Sequence, residues 1–88
     1  MFYDYAMKIR DAQIFSDKVI DIIKVKQQEL GLSNYALAQK ANLSEALLSY
    51  IFHHHRRPTL YTLVMITGAM DISLSDVIRQ VEDEHREK

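Results

Sequence analysis

The 88-residue chain has no cysteine, one proline and two glycines. Without cysteine there is no disulfide framework and no thiolate zinc site, which fits a reducing compartment. Average usage would put about 6 glycines and about 4 prolines in this length. So little backbone punctuation favours long uninterrupted segments, and helices meet that description best. No run approaches the roughly 18 consecutive apolar residues that a membrane span requires. The opening Met-Phe-Tyr-Asp-Tyr carries no basic leader of the signal-peptide kind. These absences lead us to expect a cytoplasmic protein with no membrane partner.

A strong excess of either charge is also lacking: 11 Lys and Arg stand against 12 Asp and Glu. A nucleic-acid-binding domain usually shows an overall basic excess, but here the distribution says more than the total. Residues 1–30 hold five charges of each sign. Residues 31–70 hold Lys40, Arg56 and Arg57 against Glu45 alone, and residues 71–88 hold six acids against three bases. The middle of the chain is therefore its positive part, with His53, His54 and His55 directly before the two arginines.

What is present is helical periodicity. Ser16 reads as an N-cap for a first helix carrying Val19, Ile22, Ile23 and Leu30, with Gly31 as its stop. Two short helices follow, from Ser33 to Ala41 and from Ser44 to about His53, each opened by a serine. Pro58 blocks continuation of anything upstream, and Thr59 caps an apolar helix from Leu60 to Met70. Ser73 and Asp76 have capping-box spacing ahead of a fifth helix carrying Val77, Ile78 and Val81. Residues 82–88 are almost wholly charged and are expected to fray. Phe2, Tyr5, Ala6 and Ile9 have helical spacing, so residues 1–15 read as an N-terminal extension, helix or arm, before a domain at 16–81. The expected fold class is all-α, a five-helix bundle.

The stretch that bears on function begins at Leu37-Ala38. Two helices meeting steeply across a tight turn need a small residue at the crossing, which Ala38 supplies, and a turn residue tolerant of the left-handed region, which Asn42 supplies. Leu37, Ala41, Leu43, Leu48 and Ile51 provide the shared apolar contact. On an ideal wheel the opposite side of the second short helix holds Ala46, Ser49, Tyr50 and His53. A face that small and polar fits a major groove about 12 Å wide.

The run from Ser33 to Thr59 resembles the helix-turn-helix of the phage Cro and lambda-repressor family, also called the XRE family. Ser33, Leu37-Ala38, Asn42, Leu43, Ser44, Leu48-Ser49 and Pro58-Thr59-Leu60 meet its pattern, and Leu63, Ala69, Met70, Ile72 and Ser73 fit its fourth helix and the start of its fifth. Asn42, Asp71 and His54 stand at positions where the family usually has glycine, Phe52 replaces an acidic residue, and Glu45 replaces a basic or neutral one. The resemblance implies a lambda-repressor-like DNA-binding bundle. In it Ser44, Glu45, Ala46, Ser49 and Tyr50 meet double-stranded DNA, and Asn34 and Tyr35 touch its sugar-phosphate backbone.

Residue by residue, alternatives stay open. Glu45 reads either as complement to the helix N-terminus or as acceptor from a cytosine amino group. Ala46 either contacts a thymine methyl or merely avoids a clash. His53, Arg56 and Arg57, with Lys40, read as phosphate contacts that set strength rather than sequence choice. Consecutive histidines on a helix point about 100° apart, which argues against a shared metal ion. Val64, Met65, Ile66 and Met70 read as core, and Tyr61 as half-buried packing.

No thiol, Gly-rich phosphate loop or clustered carboxylate set is present, so neither an enzyme nor a cofactor is expected. The functional reading is a small transcriptional regulator, a repressor acting as a homodimer. Either the aromatic N-terminal segment with Phe2, Tyr3 and Tyr5, or the Ile78 and Val81 side of helix 5, would supply the dimer contact. The alternatives are an antitoxin that also masks a partner protein, and a protein-interaction module that lost DNA binding.

Overall fold

The computed structural model describes residues 9–86, and all regular structure among them is helical. The five helices are α1 (Ile9–Glu29), α2 (Asn34–Ala41), α3 (Glu45–Phe52), α4 (Leu60–Ala69) and α5 (Leu74–Arg86). The all-α five-helix bundle expected from the periodicity is the fold observed.

Four of the five helices begin on a side-chain cap. Ser33 Oγ accepts from Ala36 N at 3.0 Å, Ser44 Oγ from Leu47 N at 3.1 Å, Thr59 Oγ1 from Thr62 N at 3.1 Å and Ser73 Oγ from Asp76 N at 3.3 Å. Each bond satisfies one of the amide groups that a helix start leaves without a partner.

Four helices also end in one way. A residue in the left-handed region follows the last turn: Gly31 (φ 70), Asn42 (φ 58), His54 (φ 61) and Asp71 (φ 56). The next amide then reaches back five residues: Leu32 N to Gln27 O at 3.2 Å, Leu43 N to Ala38 O at 2.9 Å, His55 N to Tyr50 O at 2.9 Å and Ile72 N to Thr67 O at 3.0 Å. This is the Schellman stop, whose following residue is commonly apolar and seals the end by packing. Leu32, Leu43 and Ile72 do so against the core. His55 is exposed, so the end of α3 is the exception.

The core joins Val19, Ile20 and Ile23 of α1, Leu37, Ala38 and Ala41 of α2, Leu48, Ile51 and Phe52 of α3, Ile66 of α4 with Met70 after it, and Val77 and Val81 of α5. Ile23, Leu37, Leu48, Ile51, Ile66, Val77 and Val81 are fully buried. Ala38, 2% exposed, sits where α2 packs into this cluster. A shallow apolar groove of about 200 Å³ remains between Phe15, Val19, Ile20, Leu63 and Ile78. No single helix among the described residues is long and apolar enough to cross a membrane.

Several expectations need correction. Ser16 does not cap α1, which starts at Ile9 and runs through it. Residues 11–15 contain neither glycine nor proline, and once a helix is nucleated each further turn is readily added. The charged tail likewise stays helical to Arg86. Leu30 and Val64, assigned by spacing to the apolar side, are 53% and 52% exposed, and Tyr61 is 71% exposed rather than half-buried. Val81 faces the core, so it cannot belong to a dimer surface on α5. The readings made for Phe2, Tyr3 and Tyr5 fall outside the described residues.

Candidate nucleic-acid interface

α2 and α3 are joined by Asn42, Leu43 and Ser44. Asn42 takes the left-handed conformation (φ 58, ψ 43) that the turn requires, and its amide caps α2 by reaching Ala38 O and Gln39 O. Leu43 turns inward and Ser44 starts α3. α3 is then seated by Leu48, Ile51 and Phe52, all buried. Phe52 thus answers a question its position raised: the aromatic ring is core, not a surface variant of an acidic residue.

The opposite side of α3 is open. Glu45, Ala46, Tyr50 and His53 are exposed, Tyr50 at 54%. Ser49 is half-buried, and its carbonyl is occupied by His53, whose Nδ1 lies 2.8 Å from it. Ser44 is exposed, with its hydroxyl oxygen engaged in the cap. Glu45 lies in the first turn, where its charge complements the helix N-terminus.

At the start of α2, Tyr35 is 58% exposed, and its hydroxyl accepts from Gln39 Nε2 at 2.7 Å. Asn34 is half-buried; its Oδ1 accepts from Gln27 Nε2 at 2.7 Å. Gln27 itself is 5% exposed, on the apolar stripe of α1 four residues after Ile23. Sequence reasoning missed this residue. The available signal was a polar side chain in register with Val19 and Ile23, where an unpaired amide would be expensive to bury.

The loop after α3 carries Arg56 and Arg57, both exposed and in no salt bridge among the described residues. His54 behaves differently. Its Nδ1 lies 3.2 Å from Asp17 Oδ1 and its Nε2 2.9 Å from Asp21 Oδ1, so the imidazole sits between two carboxylates one turn apart on α1. This ties the loop to the bundle. The pair Asp17 and Asp21, spaced i, i+4 on one helix face, was visible in the sequence, but its partner 33 residues away was not.

Lys40 falls apart from this group. It lines a shallow pocket of about 250 Å³ with Leu30, Leu32, Ala69, Met70 and Asp71, at the far end of α2 from Asn34. Among the described residues, no group of three or more His, Asp or Glu side chains is placed to hold a metal ion.

The arrangement is that of a small helical bundle presenting one short helix across a tight turn, with paired arginines directly after it. Over 56 residues the chain is 38% identical to the immunity repressor protein of Bacillus phage phi105, a stretch that makes up 64% of this chain and 39% of the relative. The chain therefore spans about two fifths of the curated relative it matches. No family model matches the sequence, and no solved structure does.

Proposed function

We propose that the protein is a sequence-specific double-stranded-DNA-binding regulator, a repressor, that reads the major groove with the open face of α3. The carrying observation is that Glu45, Ala46 and Tyr50 are exposed on a helix whose other side is locked into the core by Leu48, Ile51 and Phe52. Ser44 and Ser49 line the same helix, Asn34 and Tyr35 stand at the start of α2 beside its capped turn, and Arg56 and Arg57 extend the surface toward phosphate. His53 lies at the edge of this face. Lys40 contributes at most to the general field, given its place beside Asp71. Similarity to a phage immunity repressor supports the same reading, and with it membership of the Cro and lambda-repressor (XRE) family and action in the cytoplasm as a regulator rather than an enzyme.

A single short recognition helix reads few base pairs. Two copies related by a twofold axis read half-sites about 34 Å apart, or a multiple of that, so the functional unit in this reading is a homodimer. Selection of bound sequences from a random DNA pool tests the whole proposal. The expected product is an enriched, inverted-repeat motif; a pool that stays random, together with no salt-dependent mobility shift, would instead identify a module that binds proteins.

A further inference from the structure

Gln27 makes two bonds that reach past the end of its own helix. Its backbone carbonyl accepts from Leu32 N at 3.2 Å, closing the stop of α1, and its side-chain Nε2 donates to Oδ1 of Asn34, the first residue of α2, at 2.7 Å. Gln27 and Thr67 are the buried polar residues among those described. Thr67 bonds within its own helix, to Leu63 O at 2.9 Å. Of the two, only Gln27 joins one helix to another.

The side-chain bond decides which end of Asn34 stays available. An amide carries an acceptor oxygen and a donor NH2, whereas a phosphate oxygen only accepts. With Oδ1 turned to Gln27, Asn34 is left to offer its Nδ2 hydrogens, which make no hydrogen bond among the described residues. Turning the amide over would set NH2 against NH2 and leave the buried donor of Gln27 unpaired, which is unfavourable. Tyr35 repeats the arrangement independently. Its hydroxyl oxygen accepts from Gln39 Nε2 at 2.7 Å, so the O–H is left to donate elsewhere. Both residues at the start of α2 are thus set as donors by an amide from within the chain.

We infer that Gln27 is a positioning residue for DNA binding: it holds the Asn34 amide with its oxygen inward and its NH2 outward, a donor preset for a phosphate oxygen of the DNA backbone. The inference rests on the regulator reading above and adds to it a residue that, at 5% exposure, is too buried to touch DNA itself. Phosphate is the same at every base pair and the donor is neutral, so the contact sets affinity without sequence choice and without displacing a counterion. In this it differs from Arg56 and Arg57. The advantage is preorganisation, since a side chain already held in its bound orientation loses less freedom on binding.

Mobility shifts over a salt series, on random duplexes and on a duplex selected from a random pool, test this with Asn34→Ala, Gln27→Met and the double variant, each where its denaturation curve shows it folded. Asn34→Ala should weaken binding to every duplex by about tenfold, the loss of one hydrogen bond to a charged group, at an unchanged salt slope. Gln27→Met keeps the length of the side chain and removes its donor. It should weaken binding by about threefold or more in the parent and leave affinity unchanged in the Asn34→Ala background, whereas a residue that only stabilised the fold would act equally in both. Side-chain amide exchange by NMR supplies a second readout: the Asn34 NH2 should exchange freely in the free protein and become protected once duplex is added. That measurement needs no variant, and it decides the orientation even where Gln27→Met does not fold. Equal losses on Gln27→Met in both backgrounds, Asn34→Ala binding like the parent, or an Asn34 NH2 already protected in the free protein each overturn the proposal. A parent that binds no duplex overturns it together with the regulator reading; a parent that binds its selected duplex tightly while any of those three results holds sinks this proposal alone.

Discussion

The imidazole of His54 stands 2.9 Å from the carboxylate of Asp21, and its other ring nitrogen 3.2 Å from Asp17. At the three other helix stops an apolar residue after the left-handed position packs into the core. At the end of α3 that residue is the exposed His55, and a polar tie made by His54 holds the loop instead. Because the side chains involved are a third to three fifths exposed, such a tie contributes no more than about 1 kcal/mol.

His54→Gly should therefore be close to neutral in stability. Release from the left-handed region gains roughly 1 kcal/mol, and loss of the tie offsets it. The expected signature is positional: similar unfolding free energy in denaturant, with faster amide exchange in residues 53–57. A loss above about 2 kcal/mol would show that the tie is far stronger than its exposure allows.

Asp71→Gly lacks any such offset, since Asp71 is exposed and makes no salt bridge among the described residues. It should stabilise the protein by about 0.5–1 kcal/mol, a rise of a few degrees in Tm for a domain of this size. Gly31→Ala should do the reverse by about 1 kcal/mol. Thermal melts of the two variants, read together, check the assignment of both stops.

Ala38→Leu should destabilise by about 1–3 kcal/mol through overpacking, because Ala38 is 2% exposed between α2 and the core. Urea unfolding measures it, and an unchanged midpoint would refute the packing described for α2.

Asn34 is expected to affect stability as well as binding. Truncating it to alanine strands the buried Gln27 amide, which should cost about 1–3 kcal/mol. Replacing both partners, as in Gln27→Leu with Asn34→Ala, should recover part of that loss. DNA affinity of the single variant is meaningful only where it is still folded, so denaturation curves and mobility shifts belong in one experiment.

On DNA, Arg56→Ala should weaken binding to all sequences alike and lower the salt slope by about 1, whereas Ala46→Glu should change sequence preference. Mobility shifts over a salt series on specific and random duplexes distinguish the two. A change of preference on Arg56→Ala would contradict a phosphate role.

Much of this was legible in the residues because the signals are local. Ser33, Ser44, Thr59 and Ser73 announce four helix starts, and Asn42 and Asp71 announce left-handed stops. The turn between α2 and α3 and the open side of α3 follow from spacing alone. What was not legible depends on distant partners or on competing reasons for one residue. Ser16 looks like a cap until the helix is seen to continue through it. Val64 looks like core and Tyr61 half-buried because α4 is apolar all round, and only the packing shows which side is turned in. Gln27 with Asn34, and His54 with Asp17 and Asp21, need the tertiary arrangement to bring them together.

The four repeated helix stops also bear on kinetics. Each of these helices is ended by a bond spanning five residues, and four of the starts are set by a side chain three residues away, so the borders need no remote contact to be specified. Chains dominated by such near-neighbour interactions lose little loop entropy before their contacts form, and folding within microseconds to milliseconds follows. In a polypeptide emerging from the ribosome the helix borders would thus be marked early, while α2 and α3, of 8 residues each, become stable only on packing. The remaining slow step would be the docking of α5 onto α1, which joins the two ends of the described chain.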